Sequence, residues 1–155
     1  MPNELEETVM SSKREGVLIP TIEHATVGDA TRPGIFSCSP DAPAVKVARE
    51  MALHHVHCVF VMHPGQGTEA AYVWGIVSDL DLMRAVSGGE GTETAGSLAR
   101  EPMVTVKPEM PLAEAAALMV NHQVTHLVVV DSETLRPSGV LSTGDVAEIF
   151  AWGEA

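Results

Sequence analysis

The chain repeats itself, and an internal repeat restricts the fold more than any single motif does. At an offset of 68, Val27–Met62 lies over Ala95–Val130. The match sets Gly28 on Gly96, Arg32 on Arg100, Pro40 on Pro108, Pro43 on Pro111, Met51 on Met119, His54 on His122 and Val56 on Val124. At an offset of 64, Gly75-Ile-Val-Ser-Asp-Leu-Asp-Leu lies over Gly139-Val-Leu-Ser-Thr-Gly-Asp-Val. The difference of four residues is a longer loop in the first copy, around His63-Pro-Gly-Gln-Gly-Thr. Insertions of that kind belong in surface loops. Two copies of one unit thus share the 155 residues.

Each unit has the same predicted order. A short strand, Ile35–Cys38 or Met103–Val106, ends at Pro40 or Pro108, and Asp41 or Glu109 introduces a helix. Val47, Ala48, Met51 and Ala52 in one helix, and Leu112, Ala115, Ala116 and Met119 in the other, recur at helical spacing. A continuously apolar strand follows, Cys58–Met62 or Leu127–Val130, too apolar to have a wet face. Another strand, Tyr72–Val77 or Gly139–Leu141, leads to a helix beginning near Ser78 or Ser142. The class is α/β (α+β), with the order β-α-β-β-α twice. The predicted division is an N-terminal arm over 1–20, a first repeat over 21–87, a linker over 88–94 and a second repeat over 95–152.

Composition removes several functions. Nine basic residues against 21 acidic ones give a net charge of −12, which repels a nucleic-acid backbone. No apolar run approaches the roughly 20 residues of a membrane span. The polar, acidic first 20 residues lack a signal-peptide pattern. Cys38 and Cys58 lie in apolar runs and read as inert core thiols of a cytoplasmic protein. His54-His55-x-His57 has neither His-x-x-x-His nor Cys-x-x-Cys spacing, so no metal site is expected. His54 and His122 fall at helix ends, where they are expected to cap carbonyls. No nucleophile-plus-base set accompanies them, so no catalytic activity is expected.

The pattern that carries chemistry is Gly-x-x-Ser-x-x-Asp, as Gly75/Ser78/Asp81 and again as Gly139/Ser142/Asp145. It sets a hydroxyl at a strand end and a carboxylate one turn into the next helix. Free N–H groups and the helix dipole suit a phosphate there, and an acceptor-only Asp suits a pair of sugar hydroxyls. The same residues could serve as helix caps with no ligand at all.

These residues, with Val124-Thr-His-Leu-Val-Val-Val-Asp before the second motif, resemble a tandem pair of CBS domains, the cystathionine β-synthase repeat. The resemblance covers about residues 20–152. It implies two repeats packed through their sheets about a pseudo-two-fold axis, with two clefts between them and pairing into a homodimer. It also implies adenosine ligands: AMP, ADP, ATP or S-adenosylmethionine, with no required cofactor. Carried over by position are Ser78 and Asp81 in one cleft, Ser142 and Asp145 in the other, and Ile76 and Val140 against the base or sugar. His57-Cys58 and Thr125-His126, at the start of the middle strands, fall where relatives direct polar or basic groups at phosphate. Arg84 follows Asp81 at the spacing at which Glu148 follows Asp145, so the first cleft is expected to favour phosphate and the second a less negative ligand. Arg32 and Arg100 could add charge from the other side. The expected function is a non-catalytic sensor that reports ligand state to an effector protein in trans. The alternative is a ligand-free dimerisation module.

Overall fold

Successive side chains on a strand point to opposite faces, and a strand apolar on both faces must be covered twice. That demand organises the computed structural model, which describes residues 18–63, 72–89, 92–100 and 102–154. The expected arm up to residue 17, the loop over 64–71 and the middle of the linker lie outside the described residues.

The first repeat contributes β2 (Ser37–Cys38), α2 (Ala44–His54), β3 (Cys58–His63), β4 (Tyr72–Ser78) and α3 (Asp79–Gly88). The second contributes β5 (Thr105–Val106), α5 (Leu112–His122), β6 (His126–Val130), β7 (Pro137–Ser142) and α6 (Thr143–Trp152). In each, the first strand runs parallel to the middle one and the last runs antiparallel to it. Short helices α1 (Val27–Ala30) and α4 (Ala95–Leu98) precede the repeats. A two-residue strand, β1 (Arg32–Pro33), completes the described elements.

Alternation divides the core into three parts. Val59, Val61 and Val77 face α2 and α4, around Val47, Met51, Ala95 and Leu98. Leu127, Val129 and Leu141 face α5 and α6, around Leu112, Ala115, Met119 and Ile149. The intervening positions Cys58, Phe60, Ile76, Val128 and Val130 meet one another, so the two sheets pack face to face. Fully buried side chains of this kind each contribute roughly 1.5–3 kcal/mol.

The leading segment of each repeat packs on the other repeat. Val27 and Gly28 donate backbone N–H groups to Met110 and Pro108, while Ala95 and Gly96 donate to Ala42 and Pro40. The internal alignment matches Gly28 with Gly96 and Pro40 with Pro108; in the fold Gly28 clasps Pro108, and Gly96 clasps Pro40, across the pseudo-two-fold. β1 carries the exchange further, pairing antiparallel with β7 so that Arg32 lies opposite Val140 and Pro33 opposite Gly139. The second sheet therefore has four strands and the first three.

Three local expectations need correction. The first strands are shorter than predicted: in the first repeat the chain turns at Gly34, φ 97°, and residues 35 and 36 wall a cleft, and in the second the strand begins only at Thr105. Pro43 and Pro111, not Asp41 and Glu109, stand at the helix starts. Asp41 instead donates its backbone N–H to Ser39 Oγ, and Glu109 accepts from the Ser132 hydroxyl. His54 does not cap carbonyls: its ring stacks on Phe36 at 4.0 Å and its Nε2 lies 3.3 Å from Glu50. The left-handed residues His55 and Gln123 close those helices through their backbone N–H groups.

Candidate functional site

Both Gly-x-x-Ser-x-x-Asp segments fold as reciprocal capping boxes. The Asp81 N–H donates to Ser78 Oγ at 3.2 Å and the Ser78 N–H donates to Asp81 Oδ2 at 3.0 Å. The second box repeats this at 3.1 Å for Asp145 N–H to Ser142 Oγ and 2.8 Å for Ser142 N–H to Asp145 Oδ2. A box alone does not make a site, since Thr26 and Asp29 form one at the start of α1 as well. What surrounds the box decides.

Strand parity brings the other residues to it. Cys58 lies opposite Ser78 and His126 opposite Ser142 in the register. Ile76 and Val140, two residues before each serine, point into the seam between the sheets. At one end of that seam opens a cleft of about 470 Å³. Ser142, Gly144, Asp145 and Glu148 form one wall, Arg32–Phe36 a second and His54–Cys58 a third, with Phe60, His126 and Val140 between them. The first repeat thus supplies two walls around the second repeat's motif.

Around the first motif the space is smaller, about 220 Å³, between Asp81, Arg84, Ala85, Gly88, Glu93, Ser97, Leu98 and Arg100. Asp81 is buried, with Oδ2 held by Ser78 and Oδ1 accepting from Arg84 Nη1 at 3.0 Å. Asp145 is more open: its Oδ1 lies 3.7 Å from Arg32 Nε, and Arg32 Nη2 lies 3.9 Å from Glu148. The partner of Asp81 comes from its own helix; that of Asp145 comes from the crossing strand.

Of the residues singled out in the sequence, His57, Cys58, His126, Val140, Ser142 and Asp145 meet in the larger cleft. Asp81 and Arg84 line the smaller, while Ile76, Ser78 and Thr125 line neither. Thr125 touches His126, its Oγ1 2.9 Å from His126 Nδ1. Burial holds the His126 imidazole below its ordinary value, opposed by the nearby carboxylates of Asp79 and Asp145. Phe36, Ile35 and His55 had no sequence signal as site residues. The pointer to them was Gly139: a Cβ there would come within 2.8 Å of the Arg32 carbonyl, so another backbone had to pass close by.

Among the described residues no group of three or more His, Cys, Asp or Glu side chains is placed to hold a metal ion. Among the same residues no helix is long and apolar enough to cross a membrane.

A protein of Methanopyrus kandleri is 27% identical over 127 residues, which cover 80% of this chain; the chain spans 62% of that relative's length. Two solved structures share the fold. The CBS domain protein PAE2072 from Pyrobaculum aerophilum, complexed with AMP, superposes with a TM-score of 0.67 at 24% identity, covering 81% of this chain and 98% of that one. The CBS domain pair of protein MJ0100, in complex with 5′-methylthioadenosine and S-adenosyl-L-methionine, gives 0.69 at 16% identity, covering 82% and 96%. The CBS domain family profile matches residues 27–88 and 95–151, the two halves of the internal repeat. The chain therefore belongs to the CBS domain family, as a tandem pair.

Proposed function

We propose that this CBS pair is a regulatory sensor that binds an adenosine nucleotide in the cleft between its repeats. The observation that carries the reading is the convergence, on one 470 Å³ cleft, of the Ser142/Asp145 box with a wall donated by the other repeat. A cleft of that size suits a nucleoside-sized ligand. Asp145, acceptor-only and partly open, is placed to receive ribose hydroxyls, with Val140 against the sugar or base. The smaller space beside Asp81 and Arg84 would be the corresponding, tighter site, with Ser78 holding Asp81 in its capping box and Ile76 behind it in the seam, while Thr125 would act on the larger cleft through His126. The structures with AMP, and with methylthioadenosine and S-adenosylmethionine, support an adenosine ligand on the same fold. AMP, ADP, ATP and S-adenosylmethionine are the candidates. Because the cleft is shared by both repeats, an occupant shifts the packing between them, and a partner protein in trans would read that shift.

Homodimerisation belongs to the same proposal. Leu53, Met83, Val86, Val120 and Phe150 stand exposed on the helices, an apolar surface that a second copy would cover. These residues also favour the rival reading, a dimerisation module with empty clefts. Heat-denatured protein from a native preparation, analysed for released nucleotide, separates the two. A melting-temperature panel of AMP, ADP, ATP, NADH and S-adenosylmethionine then identifies the ligand. At 100 times its dissociation constant a ligand adds about 2.7 kcal/mol. No co-purified nucleotide and no shift with any member of the panel would leave the dimerisation reading in place.

A further inference from the structure

Four of the chain's seven histidines line the larger cleft. His54, His55 and His57 come from the end of α2 and the turn after it, and His126 opens β6 in the other repeat. The sequence separates them; the packing of the repeats collects them. The fixed charges beside them do not favour an anion. Arg32 is the cleft's arginine, and two carboxylates, Asp145 and Glu148, face it at 3.7 and 3.9 Å. Glu50 lies 3.3 Å from His54 Nε2 and Asp79 lies 3.5 Å from His57 Nδ1. His126 feels Asp79, Asp145 and Asp81 as attractive charges and His57 as a repulsive one. With neutral imidazoles, then, the cleft presents one cation against two anions along its Arg32 wall. Protonated imidazoles reverse that balance.

We propose that the larger cleft changes the class of ligand it accepts with pH, taking adenosines with a neutral or cationic 5′ group near pH 8 and 5′-phosphates as pH falls. The counter-charge comes from His54, His55, His57 and His126 together. This rests on the adenosine reading above and adds to it a selection by charge. Linkage supplies the mechanism: a bound phosphate favours the imidazolium, so protons must favour the bound phosphate to the same extent. Burial makes His126 a reluctant cation. A phosphate seated against His126 supplies the opposite charge that offsets this burial. A thioether or sulfonium group gains nothing from protonation. Phosphate itself loses its second charge near pH ~6, which sets the lower edge of the useful window at about pH 6.5.

Calorimetric titration of the full chain with AMP and with 5′-methylthioadenosine, at about pH 8 and pH 6.5 with EDTA throughout, tests the proposal. AMP is expected to bind about five-fold or more tightly at the lower pH, and methylthioadenosine to change by less than about two-fold. In a His54→Gln/His57→Gln variant the AMP ratio should fall towards that of methylthioadenosine. Proton NMR provides a second readout that needs no variant. AMP should move the titration midpoints of the four cleft imidazoles upward and leave His24 and His122 unmoved. Parallel pH profiles for the two ligands, with no midpoint moved, would overturn the charge selection and leave the adenosine reading standing. Failure of both ligands to bind at either pH would overturn the two together.

Discussion

Asp81 and Asp145 close the same capping box at matching positions, yet one is buried and the other borders open space. Asp81→Ala would leave the buried Ser78 N–H without its acceptor and Arg84 without its partner. Urea denaturation is expected to show a loss of about 1–3 kcal/mol. Asp145→Ala is expected to cost less stability and more ligand, about 1.5–3 kcal/mol of binding to any adenosine that carries ribose hydroxyls. Equal ligand affinity in wild type and Asp145→Ala would assign that carboxylate to helix capping alone. His126 makes a separate prediction about pH. Its imidazole is held below the usual value by burial, so the unfolded chain takes up a proton that the folded one resists. The stability of the neutral form is therefore complete above the unfolded value of about 6.5 and is lost as pH falls towards the lowered folded value. Between about pH 7.5 and 5.5 the ligand-free wild type should lose more melting temperature than His126→Gln. Glu109 and Asp131, held low by hydrogen bonds to Ser132, Glu133 and Thr134, titrate in a more acid range and do not confuse the comparison.

At the level of elements, β1 links the repeat's architecture to the cleft. Two residues of strand suffice, because Arg32–Pro33 pairs with Val140 and Gly139 and is anchored through Gly34 N–H to the Ser138 carbonyl. The glycine of the second motif serves this crossing. Its added Cβ would meet the Arg32 carbonyl and Thr31 Cγ2, both at 2.8 Å, whereas a Cβ at Gly75 would meet Ala99 Cβ at 3.2 Å. Gly139→Ala is expected to cost about 1–3 kcal/mol of stability by displacing β1, and Gly75→Ala clearly less. The same displacement carries Arg32 away from Asp145 and Glu148. Gly139→Ala should therefore also alter ligand affinity in the larger cleft, and comparative denaturation with ligand titration checks both halves. If the two alanine variants prove equally stable, the close approach of β1 is not what the glycine provides.

For the whole molecule, the exchange of leading segments makes the two repeats one folding unit. Ala25 and Val27 fill the core of the second repeat, and Ala95 and Leu98 that of the first. Separating the chain between repeats would strip both cores, so a single cooperative unfolding transition is expected. The assembly is expected to be a dimer with a self-complementary interface built from helices. Light scattering at micromolar concentration should return twice the 16.4 kDa chain mass, and a value at 16.4 kDa would count against the pairing. Phe150→Glu, which sets a charge on an exposed apolar helix position, should shift the equilibrium towards monomer without unfolding the pair.

The repeat, the order of elements and the two capping boxes were legible in the sequence because they depend on local periodicity and short spacings. Continuous apolar runs such as Leu127–Val130 announced strands buried on both faces, and a Ser three residues before an Asp announced a helix start. Even the clasp was written there, as the matched Gly28/Gly96 and Pro40/Pro108, though nothing local says that such residues meet across the molecule. What the fold alone decided was which charges stand together. Arg84 three residues after Asp81 is readable as a pair on one helix, but Arg32 reaches Asp145 and Glu148 from the other repeat. The wider cleft consequently opens at the second motif, walled by Phe36 and three histidines of the first repeat. Side-chain spacing along a helix or strand is set by covalent geometry and can be read from the sequence. The pairing of β1 with β7 joins residues more than a hundred positions apart, and only the packing of two sheets brings them within reach.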